Sequence, residues 1–266
     1  MPQIISLEVL NNCVVNLRQQ LASDKIHTGT GTFVSNGAKL FLLTADHVAK
    51  EMKEDCQLIL RGDSDSPLTL RIQQICKLTL DNRIPWISHP TADVALLELV
   101  IEKDLLSSIF QNRFLSVDNI YREKVVVSRD LQLTMIGFPL GLGAVGHFSP
   151  FTFRTYVSSG LITLPRFDNK KQSDFFVLEN PGMGGYSGGP IFDLSVYKHG
   201  AMTTTGSGTF LRGIMHGTIS DQTGGKLSAV TPSYYKFRIR ILYTSSQSGA
   251  YEVYFHLSVN CVHSVF

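Results

Sequence analysis

From Gly29 onward the chain alternates short apolar runs with turn-forming residues. Gly29–Ser35 predicts a strand, Asn36-Gly37 a tight hairpin turn and Lys39–Thr44 the return strand. An Asn-Gly pair is a strong short-range hairpin signal because both residues accept positive φ. Gln57–Arg61 and Leu68–Ile72 are two further apolar-rich runs with Gly62-Asp63 and Ser66-Pro67 between them, and Asp93–Val100 is another strand, opened by an aspartate. After a more polar stretch from about Ile101 to Glu123, the pattern resumes in Leu131–Pro139, Phe151–Leu164, Phe175–Leu178 and Ile191-Phe192. The period leaves Ile4–Leu21 open between a short helix and a first strand.

Many short strands separated by turns predict an all-β protein, a sandwich or barrel, and two such groups joined by a connector predict two barrels. Nothing alternates with ten-residue helical patterns, which argues against a parallel α/β sheet. The divisions expected are a first barrel over residues 1–110, a connector over 111–128, a second barrel over 129–240 and a hairpin or tail over 241–266. Ser195–Gly208 reads as a long hairpin or a mobile loop near the cleft between the barrels. Beyond Pro232, Tyr234–Tyr243 and Tyr251–Val259 alternate in strand fashion, as a hairpin that caps the barrel or offers an edge to a partner.

Composition narrows the function. Of 266 residues 43% are apolar and 17% charged, with a formal net charge of +2 and no long basic run, so nothing argues for nucleic acid as a partner. No apolar stretch approaches the roughly 20 residues of a membrane helix. The opening Met1–Glu8 lacks a basic region followed by an apolar stretch and a cleavage site, and the expectation is a cytoplasmic protein. Cys13, Cys56, Cys76 and Cys261 are scattered without zinc spacing and are expected to be free, buried thiols.

The densest chemistry lies in Asn180-Pro181-Gly182-Met183-Gly184-Gly185-Tyr186-Ser187-Gly188-Gly189-Pro190. Glycines at this density cost backbone entropy. A tight turn whose N–H groups converge in front of the Ser187 hydroxyl would give them a use, as an oxyanion hole beside a nucleophile; the plain alternative is a flexible surface loop. A nucleophilic serine needs a base and a carboxylate to orient that base. Of eight histidines, His27, His89, His147, His199, His256 and His263 read as surface or loop residues. His47 differs, because it ends a predicted strand where a rigid element can hold an imidazole still. Asp46 reads as a decoy, since neighbours on an extended chain point to opposite faces. Asp93, at the head of Val94-Ala95-Leu96-Leu97, would be half-buried and costly without a partner, and a histidine N–H would supply one. A turn-capping aspartate is the competing reading.

In order and motif these residues resemble the chymotrypsin/trypsin-like serine protease family in its bacterial or viral form. Thr44-Ala45-Asp46-His47-Val48 resembles its histidine motif, Thr91–Leu97 its aspartate motif and Gly185–Pro190 its serine motif, while Ile136–Gly141 is similar to a strand end of bacterial members. The resemblance covers about residues 25 to 240. It implies two six-stranded antiparallel β-barrels with the site in the cleft between them, and catalytic roles for His47, Asp93 and Ser187. The N–H groups of Gly185 and Ser187 would form the oxyanion hole. A rival comes from Gly185-Tyr186-Ser187-Gly188-Gly189, which also fits the G-x-S-x-G turn of α/β-hydrolases. That fold wants a helix after the serine and leaves His47 and Asp93 without a role.

Departures from the pattern bear on control and specificity. Tyr186 stands where secreted relatives place an aspartate, which argues against activation by N-terminal cleavage. The position six residues before the serine is Pro181, which argues against a preference for Lys or Arg. The pocket is expected from Pro181, His216, Gly217, Thr218 and Gly225, with His216 selecting Gln or Glu if its register is right; a one-residue slip would turn it to the other face. A hydrogen-bonded histidine that lines nothing is the competing reading of His216, and a pocket for small or apolar groups is the alternative to Gln or Glu. The function expected is a serine endopeptidase acting on proteins or peptides without metal or organic cofactor, with an activating protein partner as its means of control. The alternative is a protease-like binding module that has lost catalysis.

Overall fold

The computed structural model describes residues 2–21, 25–125, 127–199, 202–220, 222–223, 225–235, 239–243 and 253–257. The open question over residues 4–21 resolves into both elements: helix α1 (Leu7–Asn12), capped by the Ser6 hydroxyl, and strand β1 (Val14–Gln20). The predicted hairpin is β2 (Ile26–Ser35) and β3 (Leu40–Thr44). Its turn is made by Asn36, whose Oδ1 accepts from the amides of Ala38 and Lys39, and by Gly37 at φ +88°. Helix α2 (Asp46–Glu51) follows, then the antiparallel pair β4 (Gln57–Arg61) and β5 (Pro67–Arg71). The short β6 (Ile87–Ser88), β7 (Ala95–Leu99), helix α3 (Lys103–Ser108) and β8 (Leu115–Ser116) complete the first half. The first sheet runs β5-β4-β1-β2-β3-β7-β6, with β8 adding parallel to β2, so the expected connector lends two residues to it.

The second half holds β9 (Leu133–Gly137), β10 (Phe151–Thr155), β11 (Ile162–Pro165), β12 (Gln172–Leu178), β13 (Pro190–Asp193), β14 (Val196–His199), β15 (Met202–Thr205), β16 (Phe210–Ser220) and β17 (Lys226–Pro232). Its antiparallel sheet runs β10-β9-β13-β16-β17-β12-β11. The stretch after Ser195 is a hairpin of β14 with β15, and β18 (Ile239–Tyr243) pairs with β19 (Val253–Leu257) as the C-terminal hairpin. The tip expected around Ser245–Gly249 lies outside the described residues, as does Cys261. Cys13, Cys56 and Cys76 are free and buried. Among the described residues no helix is long and apolar enough to cross a membrane.

Three apolar clusters explain why several strands read as continuous apolar runs rather than as alternations. In β3, Phe41 and Leu43 belong to a cluster shared by both halves, whereas Leu42 belongs to a cluster inside the first half. Successive side chains of a strand point to opposite faces, and here both faces are buried. The same division separates Val14 from Val15 in β1 and Leu96 from Leu97 in β7. The shared cluster joins Val34, Phe41, Leu43, Val94 and Leu96 to Ile136, Phe138, Phe192, Leu211 and Ile214. At about 1.5–3 kcal/mol for each buried side chain of this size, this junction holds the two sheets in one fixed relation. Residues that bracket it, Asp93 beside Val94 and His216 two places beyond Ile214, therefore come together from opposite halves.

Candidate active site

His47 is the second residue of α2 rather than the end of a strand, a correction to the sequence reading. β3 stops at Thr44 and the chain turns into the helix at Ala45, whose side chain offers no cap. Asp93 does the capping: its Oδ1 accepts from the His47 amide at 2.9 Å while its Oδ2 faces the His47 Nδ1 at 2.7 Å. One carboxylate thus fixes both the helix start and the imidazole. Asp46 does not orient His47, but for a reason different from strand alternation. It is buried and bonds Lys50 and Arg166 on another face of the helix.

Asp93 is fully buried, and burial by itself disfavours its charge. Hydrogen bonds from His216 and His47 outweigh that cost and hold its carboxyl well below the usual carboxylate range. It is presented by a turn built around His89, which lies in a loop, one of the two placements expected for it, and is buried there. The His89 Nδ1 accepts from the Ala92 amide at 2.9 Å, and its own amide donates to the Val94 carbonyl at 2.9 Å. Desolvation, together with the nearby Arg166, pushes the His89 pKa down to about 4, which keeps Nδ1 free to accept.

Arg166 is one of two residues of the site that the sequence did not reveal. It sits in the turn between β11 and β12, is 1% exposed, and sends Nη2 to Asp46 at 2.8 Å, Asp93 Oδ1 at 3.0 Å and Asp168 at 2.6 Å. Its Nη1 donates to the Ala92 carbonyl at 2.8 Å and its Nε to Asp168 at 2.8 Å. Burial opposes its charge, yet the hydrogen bonds with Asp168 and Asp46 raise its pKa above the ordinary guanidinium value. The neighbouring Phe167 packs its ring 4.7 Å from that of His47 and 4.5 Å from that of His216.

The glycine turn is an ordered structure. Gly185 (φ +94°) and Gly188 (φ +81°) hold left-handed conformations. A Cβ on Gly185 would lie 2.3 Å from the Phe138 carbonyl oxygen, and one on Gly188 would lie 2.2 Å from that of Thr30. The Leu140 amide donates to the Gly184 carbonyl at 2.6 Å, and the Gly189 amide to the Tyr186 carbonyl at 2.8 Å. Across a trans peptide the next N–H points the other way, so the Gly185 and Ser187 amides both face away from these bonds. Among the described residues neither amide has a protein acceptor. Thr30, another residue missed, ties the turn to the first sheet. Its hydroxyl donates to the Gly185 carbonyl at 2.7 Å and its amide to the Ser187 carbonyl at 2.8 Å. The Ser187 hydroxyl donates to the His216 carbonyl at 3.3 Å.

His216 does not line a pocket with its ring, which corrects the expectation drawn for it. β16 pairs Met215 with Val230 and Gly217 with Ala229, leaving His216 as the extra residue of a bulge. The bulge turns its ring inward, where Nδ1 stands 2.5 Å from Asp93 Oδ2, and leaves its carbonyl at Ser187. Gly217 faces Phe167, whose Cε1 would be 2.8 Å from a Cβ placed there. Thr218 donates its hydroxyl to the Gly182 carbonyl at 3.0 Å. Pro181 and Gly225 are exposed. Strand pairing sets Ser228, not Gly225, opposite Thr218, and the Ser228 hydroxyl donates to the Asn180 carbonyl at 2.6 Å. The space beside Gly182 is narrow: a Cβ there would meet Ser228 Oγ at 3.1 Å, Thr218 Oγ1 at 3.2 Å and Met215 Cε at 3.4 Å.

No curated protein is a significant match to the chain. Among solved structures it is similar to the active form of the Rv3671c protease of M. tuberculosis, at 15% identity over 85% of this chain and 78% of that one, with a TM-score of 0.52. The inactive form of the same protease aligns at 13% identity over 88% and 92% of the two chains, with a TM-score of 0.53. The HtrA-type protease AlgW with a bound tripeptide aligns at 17% identity over 85% of this chain and 58% of that one, with a TM-score of 0.53. At these identities the likeness is one of fold, an all-β trypsin-like fold. The model of the trypsin-like peptidase domain matches residues 29–196, a span that takes in His47, Asp93 and Ser187, and the chain belongs to that family.

Proposed function

We propose that the chain is a serine endopeptidase in which Ser187 attacks the scissile carbonyl, His47 takes and returns the proton, and Asp93 holds His47 in the required tautomer. The observation that carries this reading is the Asp93 carboxylate. It is buried and held as an anion, and it bonds the His47 Nδ1 at 2.7 Å, which leaves Nε2 as the basic nitrogen. The Gly185 and Ser187 amides would receive the negative oxygen of the tetrahedral intermediate; its collapse would break the C–N bond, the amine leaving with the proton that His47 returns, and the acyl group on Ser187 would then be removed by water.

The resting hydroxyl bond to the His216 carbonyl has a use in this scheme. An extended peptide lying along β16 would offer an N–H to that carbonyl and free the hydroxyl for His47. Because Met215, Thr218 and Ser228 crowd the space beside Gly182, and both hydroxyls already donate to backbone carbonyls, the residue before the cleaved bond should be small and apolar. This replaces the preference for Gln or Glu that a pocket-facing His216 would have given.

The test is labelling with a fluorophosphonate probe, compared with Ser187→Ala and His47→Ala, followed by profiling on a peptide library. Labelling of the parent that disappears in both variants, with cleavage after Ala or Val, is the expected result. Labelling that survives Ser187→Ala would sink the assignment.

A further inference from the structure

We propose that Arg166 positions Asp93, and through it His47, so that the catalytic groups come into register only when the two sheets are docked; this rests on the protease reading above. Arg166 belongs to the second half, in the turn between β11 and β12, whereas Asp46, Ala92 and Asp93, which it holds, belong to the first half. Asp93 Oδ1 receives two donors, Arg166 Nη2 at 3.0 Å and the His47 amide at 2.9 Å. Together they fix the plane of the carboxylate and leave Oδ2 facing the ring nitrogens of His47 and His216. A lysine has no planar fork with which to span three carboxylates and a carbonyl at once.

The charged and titratable groups around Asp93 are Asp46, His47 and Lys50 from α2, His216 from β16, Arg166 and Asp168 from the β11–β12 turn, and His89 from the preceding turn. Three carboxylates against Arg166 and Lys50 leave one negative charge over. An imidazolium formed on His47 during proton transfer would balance it. Phe167, the next residue of the same turn, lies against the His47 ring and beside Gly217. The turn therefore meets the centre at two points, at Asp93 through Arg166 and at the His47 ring through Phe167.

The experiment compares Arg166→Met, Arg166→Lys and Asp168→Asn in the full chain. It reads thermal unfolding, kcat and KM against pH on a peptide substrate, and the low-field proton NMR resonance of the His47–Asp93 hydrogen bond. Arg166→Met should lower kcat about 10²-fold with KM within about twofold, and displace the resonance. Loss of the cation that Asp93 and Asp46 share leaves their negative charge uncompensated, so the acidic limb of the rate profile should move to higher pH. Arg166→Lys should restore that limb but only part of the rate. A folded Arg166→Met that keeps the parent's kcat, limb and resonance overturns the proposal. If Arg166→Met does not fold, an unchanged resonance in both Arg166→Lys and Asp168→Asn overturns it, and a displaced one supports it. If the parent protein turns over no substrate, the protease reading fails on its own, and the resonance still decides the role of Arg166.

Discussion

Tyr186 precedes Ser187, where secreted relatives hold an aspartate, and it offers a quantitative test of how the glycine turn is anchored. Its side chain is fully buried, packs edge-on against Phe153 with ring centroids 5.6 Å apart, and lies against Gly137. Its hydroxyl has no hydrogen-bond partner among the described residues, and burial pushes its pKa well above the ordinary phenol value. A buried hydroxyl without a partner costs about 1–3 kcal/mol. Tyr186→Phe removes that cost and leaves a void of about 15 Å³, worth about 0.4 kcal/mol at roughly 24 cal/mol per Å³. The net expectation is a gain of about 1–2 kcal/mol, with about 2–4 °C in Tm for each kcal/mol in a chain of this size. Urea and thermal unfolding measure it. The fluorophosphonate labelling rate should stay within about threefold, because Tyr186 fixes the turn through its backbone bonds and ring rather than its oxygen. A loss of 1 kcal/mol or more would show that the phenol oxygen makes a stabilising bond and would refute the reasoning. Tyr186→Asp, despite restoring the residue type of secreted relatives, should prevent folding or abolish labelling, since an apolar pocket would receive an unpaired carboxylate.

Gly185→Ala should lower kcat by about 10²–10³-fold with little change in KM, because its Cβ would strike the Phe138 carbonyl and turn away an N–H proposed as an oxyanion donor; steady-state kinetics on one peptide series checks it. Met215→Ala should open the space beside Gly182 and raise kcat/KM for Leu before the cleaved bond by about tenfold or more relative to Ala, read by library profiling. Acid should act in two stages. His89 has a folded pKa near 4, below its ordinary value, so stability falls as pH drops from about 6.5 towards 4, by on the order of 2–3 kcal/mol. Asp93 and Asp46 are depressed carboxylates, so their contribution is present above the usual carboxylate range and is lost only as pH falls through their lower folded values. Equilibrium unfolding at stepped pH should show both stages, and His89→Gln should flatten the first. Burial pushes Cys13 and Cys56 up to about 12 and Cys76 to about 11, so iodoacetamide at pH 8 should modify these three only after unfolding, as followed by mass spectrometry.

Local chemistry made part of this protein legible from its sequence. Asn36-Gly37 announced its hairpin because positive φ is a property of the residues themselves, and the short apolar runs of β3 and β7 announced strands because a strand buried on both faces is apolar at every position. The order His47, Asp93, Ser187 and the glycines around the serine carried the candidate centre, since a tight turn needs residues without a Cβ wherever the turn is built. Helix α2 was not legible: six residues give too little period, and its cap is supplied by Asp93, 46 residues away from His47. The place of His216 stayed open between a pocket and a hydrogen-bonded interior because a bulge, which exists only between two paired strands, decides where its ring points. Arg166 and Thr30 gave no local signal either. Arg166 meets Asp93 across 73 residues and Asp46 across 120, and Thr30 meets Gly185 across 155. Such meetings are fixed by the apolar junction that docks one sheet on the other. The sequence by itself determined which residues could form strands, turns and a reactive serine; the tertiary structure alone decided which buried charges share Asp93, because only docking removes water and makes an unpaired charge too costly to leave.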